Sequence, residues 1–224
     1  MHVLMRAPNR FVIWGSAGHA KVLADVIGLQ GGDVIALFDR NLEVESCLQG
    51  VPLFHGVSGF SLWLKEQESP ELINASLGIG GARGRDRQEI AKLFTESGLK
   101  LTPVIHPAAA VSKTAIVGEG SQVLAHSVVA ADVVIGKAAI VNNSANVDHE
   151  CVLGDGVHIA PGAVLCGCVS VGENSLIGAG AVVLPRIKIG KNVLVGAGAV
   201  VTRDVPDGIV VAGNPAKKIG IQND

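Results

Sequence analysis

The chain has 224 residues and a formal net charge of −2, long enough for a buried core in one or two domains and too close to neutral for a surface that grips a phosphate backbone. Hydrophobic residues make up 48% but aromatics only 3%, with 29 Gly and no Tyr, so the composition predicts a core of small aliphatic layers rather than aromatic anchors. No apolar run approaches the roughly 18 residues of a membrane span; the first strand runs straight into a Gly turn, unlike a signal peptide; and four irregularly spaced cysteines (Cys47, Cys151, Cys166, Cys168) suit neither a disulfide framework nor a paired zinc site. A cytoplasmic protein with no nucleic-acid or membrane partner is expected.

Arg10-Phe-Val-Ile-Trp14 predicts a first strand, ended by Gly15-Ser-Ala-Gly18-His19. Residues 20–29 then carry Val22, Leu23, Val26 and Ile27 at helical spacing and close at Gly31-Gly32. A second buried strand over 34–38 ends at Asp39-Arg40-Asn41. A helix is expected over 58–67, a strand over 72–79 ended by Gly80-Gly81, a charged helix over 83–97 and a last strand from Lys100. This alternation describes a small, parallel, Rossmann-like α/β sheet in residues 1–103. Ligands of such sheets sit beyond the carboxyl ends of the strands, so the loops at 15–19, 39–41 and 78–83 should converge. Ala17 stands where a dinucleotide fingerprint has its second Gly, which argues against NAD. The N–H groups of a helix start there still suit a phosphate, and a ligand-free turn is the alternative. Arg83, Arg85 and Arg87 read as a solvated helix start.

From Ile105 every sixth residue is aliphatic: Ile105, Val111, Val117, Val123, Val129, Ile135, Val141, Val147, Leu153, Ile159, Leu165, Val171, Ile177, Val183, Ile189, Val195 and Val201. Small residues dominate two places earlier, among them Ala109, Ala115, Ser121, Ala145, Ala163 and Ala199. A six-residue period with one aliphatic and one small inward position predicts a parallel β-helix whose triangular coils take three hexads each. Each coil buries its face only against its neighbours, so the pattern cannot lapse. It runs unbroken through 104–204, which leaves no room for a long inserted loop, and 205–224 is a C-terminal tail.

Three segments resemble one family. The hexads and the closing Val211-Ala-Gly-Asn-Pro215-Ala-Lys217 are similar to left-handed hexapeptide-repeat acyltransferases. The preceding Gly15-x-x-Gly18-His19-Ala-Lys21 resembles the NeuD/PglD group of sugar acetyltransferases, as does the stretch from Asn142-Asn143 through Asp148-His149-Glu150 to His158 and Gly162. The resemblance implies a left-handed β-helix, a homotrimer with sites between subunits, acetyl-CoA as co-substrate, no permanently bound cofactor or metal, and a nucleotide-linked amino sugar as acceptor. It assigns acceptor contacts to Ala17, Gly18, His19, Asp39, Arg40 and Gly80. It assigns acetyl-CoA contacts to His158, Gly167, Ala179 and Ala197, with the Gly167 N–H as oxyanion donor.

The residues themselves allow acyl transfer. His149 lies two places beyond inward Val147, hence on the surface near a corner, and imidazole titrates in the range a general base needs. Glu150 adjoins it and could hold the other ring nitrogen; Asp148 is the rival. His158 follows His149 by nine residues, half a coil, so the two should face different sides of one prism. Gly167, Ala179 and Ala197 share the hexad phase of His149. The expected reaction is acetylation of the amine of a nucleotide-linked 4-amino-4,6-dideoxy sugar, UDP-linked first, for glycan or polysaccharide synthesis. Alternatives are O-acetylation of a sialic acid, a non-catalytic nucleotide-sugar-binding protein, and a prism-type carbonic anhydrase with zinc on His126, His149 and His158.

Overall fold

Strand and helix alternate where the apolar periods change. A computed structural model describes residues 9–222. The first half contains β1 (Asn9–Trp14), α1 (Gly18–Leu29), β2 (Gly32–Asp39), β3 (Leu53–His55), α2 (Gly56–Lys65), β4 (Asn74–Leu77) and α3 (Gly84–Glu96). All pairings are parallel, in the order β3-β2-β1-β4. The predicted helices fall within two residues of those observed at each end. The fourth strand is a difference: it is the three-residue β3, too short to show a period, whereas Lys100 makes only an isolated bridge to Asn74 before the chain turns away.

The expected absence of aromatic anchors holds for only half of the molecule. All seven aromatics lie between Phe11 and Phe94. Trp14, Phe38, Phe60, Trp63 and Phe94 form a contiguous cluster under α2 and α3, with centroid separations such as 5.1 Å for Phe38–Phe60 and 5.4 Å for Phe60–Phe94. Averaging over the chain hid this segregation.

From Val104 to Val201 the chain forms seventeen two-residue strands, β5 (Val104–Ile105) to β21 (Val200–Val201). Successive coils pair 18 residues apart, as in Val134↔Val152 and Val147↔Leu165, and the three resulting sheets enclose the aliphatic stack. From Gly120 to Gly198 the third residue after each aliphatic position adopts a left-handed conformation. Glycine supplies it at 120, 156, 162, 180 and 198; elsewhere His126, Asp132, Ala138, Ser144, Glu150, Cys168, Asn174, Arg186 and Asn192 do so, mostly polar side chains, among which Asn and Asp bear the region at least cost. A final β22 (Ile209–Ala212) joins the largest sheet and β23 (Lys217–Ile221) pairs antiparallel with it. The fold is an α/β domain followed by a left-handed β-helix.

The two halves share cores. Ala138 of the prism is buried among the aromatics, and Leu124 and Ile140 are buried with Phe11, Ile13 and Leu23. At the start of α3 the backbone of Gly84 lies so close to the prism that a Cβ there would meet Gly156 O at 2.5 Å; only glycine fits that approach.

Candidate active site

The loops at 15–19, 39–41 and 78–83 do converge at the carboxyl ends of β1, β2 and β4. They line a cleft of about 190 Å³ bordered by Gly15, Ala17, His19, Asp39, Arg40, Gly80 and Arg83. Ala17 precedes α1 without a side-chain cap and no acidic residue occupies the first turn, so the positive end of the helix faces the cleft. Asp39 locks it: one carboxylate oxygen accepts from Ser16 N and the other from Asn41 N, both at 2.9 Å. Arg40 reaches across to Glu89 at 2.9 Å. Gly80 lies beside His19, whereas Gly18, the first residue of α1, is not among the residues that line the cleft.

A buried polar seam joins this cleft to the prism, and one of its members, Gln122, escaped the sequence reading. His19 Nε2–H donates to Gln122 Oε1 at 2.6 Å, and Gln122 Nε2 donates to Leu77 O at 2.7 Å. Asn142 Nδ2 donates to His158 Nε2 at 3.1 Å while His158 Nδ1–H donates to Gly81 O at 3.1 Å. His158 is thus held as a neutral imidazole under the 78–83 loop, and burial pushes its pKa down to about 4, with the Arg87 charge adding to the effect. Burial also lowers His19. The seam is pinned by Arg87, which is fully buried rather than solvated as expected. Its guanidinium donates to Ala138 O, Ile79 O, Gly81 O and Gly156 O, binding the cleft loop to two prism corners. Burial lowers it to about 10, which still leaves it charged at neutral pH. The signal was present: Arg87 shares a helical face with Ile90 and Phe94.

His149 stands at another corner. Its Nδ1–H donates to Glu150 Oε2 at 3.0 Å, whereas Asp148 turns one oxygen to His149 N at 2.8 Å. Glu150 therefore sets the tautomer and leaves the Nε2 lone pair without a hydrogen bond among the described residues, with Asp148 Oδ2 4.0 Å away. The ring lies over Gly167: a Cβ at 167 would come within 2.5 Å of Nε2. Gly167 N–H makes no hydrogen bond among the described residues, so an unused donor sits directly beneath a half-exposed imidazole. Ala179 and Ala197 do not line this corner. Equal hexad phase means equal place within a turn, and successive turns occupy three different corners; Gly198 N bonds Ala179 O, stacking that pair on a corner of its own. Nor do His126, His149 and His158 converge. Among the described residues the one group of three potential metal ligands is His149, Glu150 and Cys168.

The PglD N-terminal domain family matches residues 10–92 and the bacterial transferase hexapeptide family (six repeats) matches residues 168–203. The acetyltransferase domain of PglB from Neisseria gonorrhoeae, solved with acetyl coenzyme A, is 37% identical, with a TM-score of 0.84 over 95% of this chain and 100% of that one. PerB from Caulobacter crescentus, solved with CoA and GDP-perosamine, is 38% identical, with a TM-score of 0.86 over 96% and 99%. WeeI from Acinetobacter baumannii is 27% identical, with a TM-score of 0.83 over 93% and 99%. With its N-terminal α/β domain, its unbroken prism and relatives this similar over their whole length, the chain belongs to the NeuD/PglD-type sugar acetyltransferases.

Proposed function

We propose that this acetyl-CoA-dependent sugar acetyltransferase acetylates the amine of a nucleotide-linked 4-amino-4,6-dideoxy sugar, with His149 as general base. The observation that carries this reading is the His149 corner: Nδ1–H fixed on Glu150, Nε2 free, and an unused N–H at Gly167 below the ring. The acceptor amine attacks the thioester carbonyl while Nε2 takes its proton. The Gly167 N–H steadies the developing oxyanion, a contribution of about 3 kcal/mol in comparable sites. Collapse of the tetrahedral intermediate expels the CoA thiolate, and the imidazolium returns the proton. No covalent enzyme intermediate is needed.

The cleft of His19, Asp39, Arg40 and Gly80 takes the nucleotide, its phosphates facing Gly18 at the start of α1. Ala179 and Ala197, small and with N–H groups that make no hydrogen bond among the described residues, run along the pantetheine, and His158 stands where that surface meets the 78–83 loop. Since the His149 and Ala179/Ala197 corners belong to different edges of one prism, a complete site takes each from a different subunit of a homotrimer. Among the described residues no helix is long and apolar enough to cross a membrane, and four free cysteines suit a reducing cytoplasm.

UDP-linked acceptors are the first reading; the likeness to PerB, solved with GDP-perosamine, favours a GDP-linked acceptor as the second. Mass spectrometry of products from UDP-, GDP- and dTDP-4-amino sugars and from sialic acid separates these, and an O-acetylated product alone would overturn N-acetylation. His149→Ala is expected to lower kcat about 10²–10⁴-fold and to retain acceptor binding by calorimetry. Turnover within threefold of the unaltered protein would sink the base assignment.

A further inference from the structure

Glu150 and Cys168 occupy the same place in successive coils, 18 residues apart. Both have left-handed backbones, φ 58° and 62°, and the coils are bonded there through Cys168 N to His149 O at 2.9 Å. This stacking aims the Cys168 thiol at the carboxylate that holds the histidine: Cys168 Sγ to Glu150 Oε2 is 3.6 Å and His149 Nδ1 to the same oxygen is 3.0 Å. The three donor atoms all lie within 4.8 Å of one another. A tetrahedral zinc with ordinary Zn–N, Zn–O and Zn–S bonds sets its ligands about 3.3 Å apart for N and O and about 3.5 Å apart for S and O. Two of the three edges are therefore already near their required length. The thiol and carboxylate stand on stacked turns, and the exposed His149 and Glu150 side chains with the partly exposed Cys168 leave rotations that close the third edge.

We infer that His149, Glu150 and Cys168 form a zinc site with its fourth position open to solvent, and that filling it silences the base. Imidazole, carboxylate and thiolate are donors of the class zinc selects over magnesium or calcium. The ion takes the place of the proton between Nδ1 and Oε2. That proton moves to Nε2, the thiol proton is released to solvent, and no electron changes hands. With Nε2 protonated and Nδ1 metallated, His149 has no lone pair left to accept the proton of an attacking amine. The inhibition rests on the base role proposed above; the binding does not.

Cobalt(II) added to the full-length protein under a phosphine reductant reads the site directly. One equivalent is expected to give the near-ultraviolet thiolate-to-cobalt band of a tetrahedral centre, which zinc displaces. Cys168→Ser is expected to lose the band while acetylating at the basal rate, and its inhibition by zinc should weaken by roughly tenfold or more. Cys166→Ser, the nearby control, should keep both. Absence of the band in the unaltered protein, or its survival in Cys168→Ser, overturns the site. A band without zinc inhibition upholds the site and overturns instead the role of His149 as base.

Discussion

Arg87 carries a charge into the interior, where four backbone carbonyls accept from its guanidinium and the neighbouring Asp86 carboxylate favours its charged form. Removing the side chain leaves those carbonyls without their donor at a junction between two domains, where an unmet buried group costs about 1–3 kcal/mol. Arg87→Met is expected to lower stability by a few kcal/mol in a denaturant melt. Arg87→Lys should recover little, because one ammonium cannot span the fork; full recovery would show that charge alone matters. His158 sets a pH dependence at the same seam. Folded, its pKa is about 4 against an ordinary 6.5, so between those values the unfolded chain binds a proton the folded chain refuses. Its contribution is complete above pH 6.5 and is lost as pH falls towards 4, by up to about 3 kcal/mol. His158→Gln should flatten the Tm–pH curve across that window, and an unchanged slope would assign the acid sensitivity elsewhere. These residues also mark how far sequence reading reaches. His19, His149 and His158 drew notice through their motif. Gln122 did not, since an amide outside the motif announces itself only through the partner that folding brings to it.

At the scale of the element the hexad explains most of the molecule. Its aliphatic position and its small position were legible because the period repeats without interruption, so each coil restates the rule for the next; the left-handed corner emerged only in the structure. The α/β half was legible as an alternation of types, but β3 was not, because a three-residue edge strand has no period to read. Corner identity was misread for a related reason: a six-residue phase does not distinguish three corners, and only the 18-residue repeat does. Gly167 tests this level. Its backbone is not in the left-handed region, so alanine is locally tolerable, yet a Cβ there meets the His149 ring at 2.5 Å. Gly167→Ala is expected to displace the imidazole and lower kcat about 10²-fold while shifting the melt by only a few degrees. A variant that melts normally and turns over normally would remove the ring from its place over residue 167 during catalysis.

The whole molecule must reconcile two facts: His149 with Gly167 lies on one corner of the prism, and Ala179 with Ala197 on another. In the homotrimer proposed above, a site that uses both takes them from two chains, and the ring of three closes with one such site at each interface. This arrangement can be tested with two defective parents. His149→Ala spoils the base corner and Ala197→Leu, which puts a bulky side chain on the donor surface, spoils the other. When the two chains are unfolded together in equal amounts and reassembled, a site works only where an Ala197→Leu chain supplies His149 and a His149→Ala chain supplies Ala197. Random assembly places that ordered pair at about one quarter of the interfaces, so the mixture should recover about a quarter of the unaltered activity. If both corners of a site came from one chain, every site would keep one lesion and mixing would recover nothing beyond the sum of the parents. Native mass spectrometry establishes that mixed trimers have formed. Activity absent from verified mixed trimers would overturn the shared site, and activity in a verified monomer would overturn the need for an assembly at all.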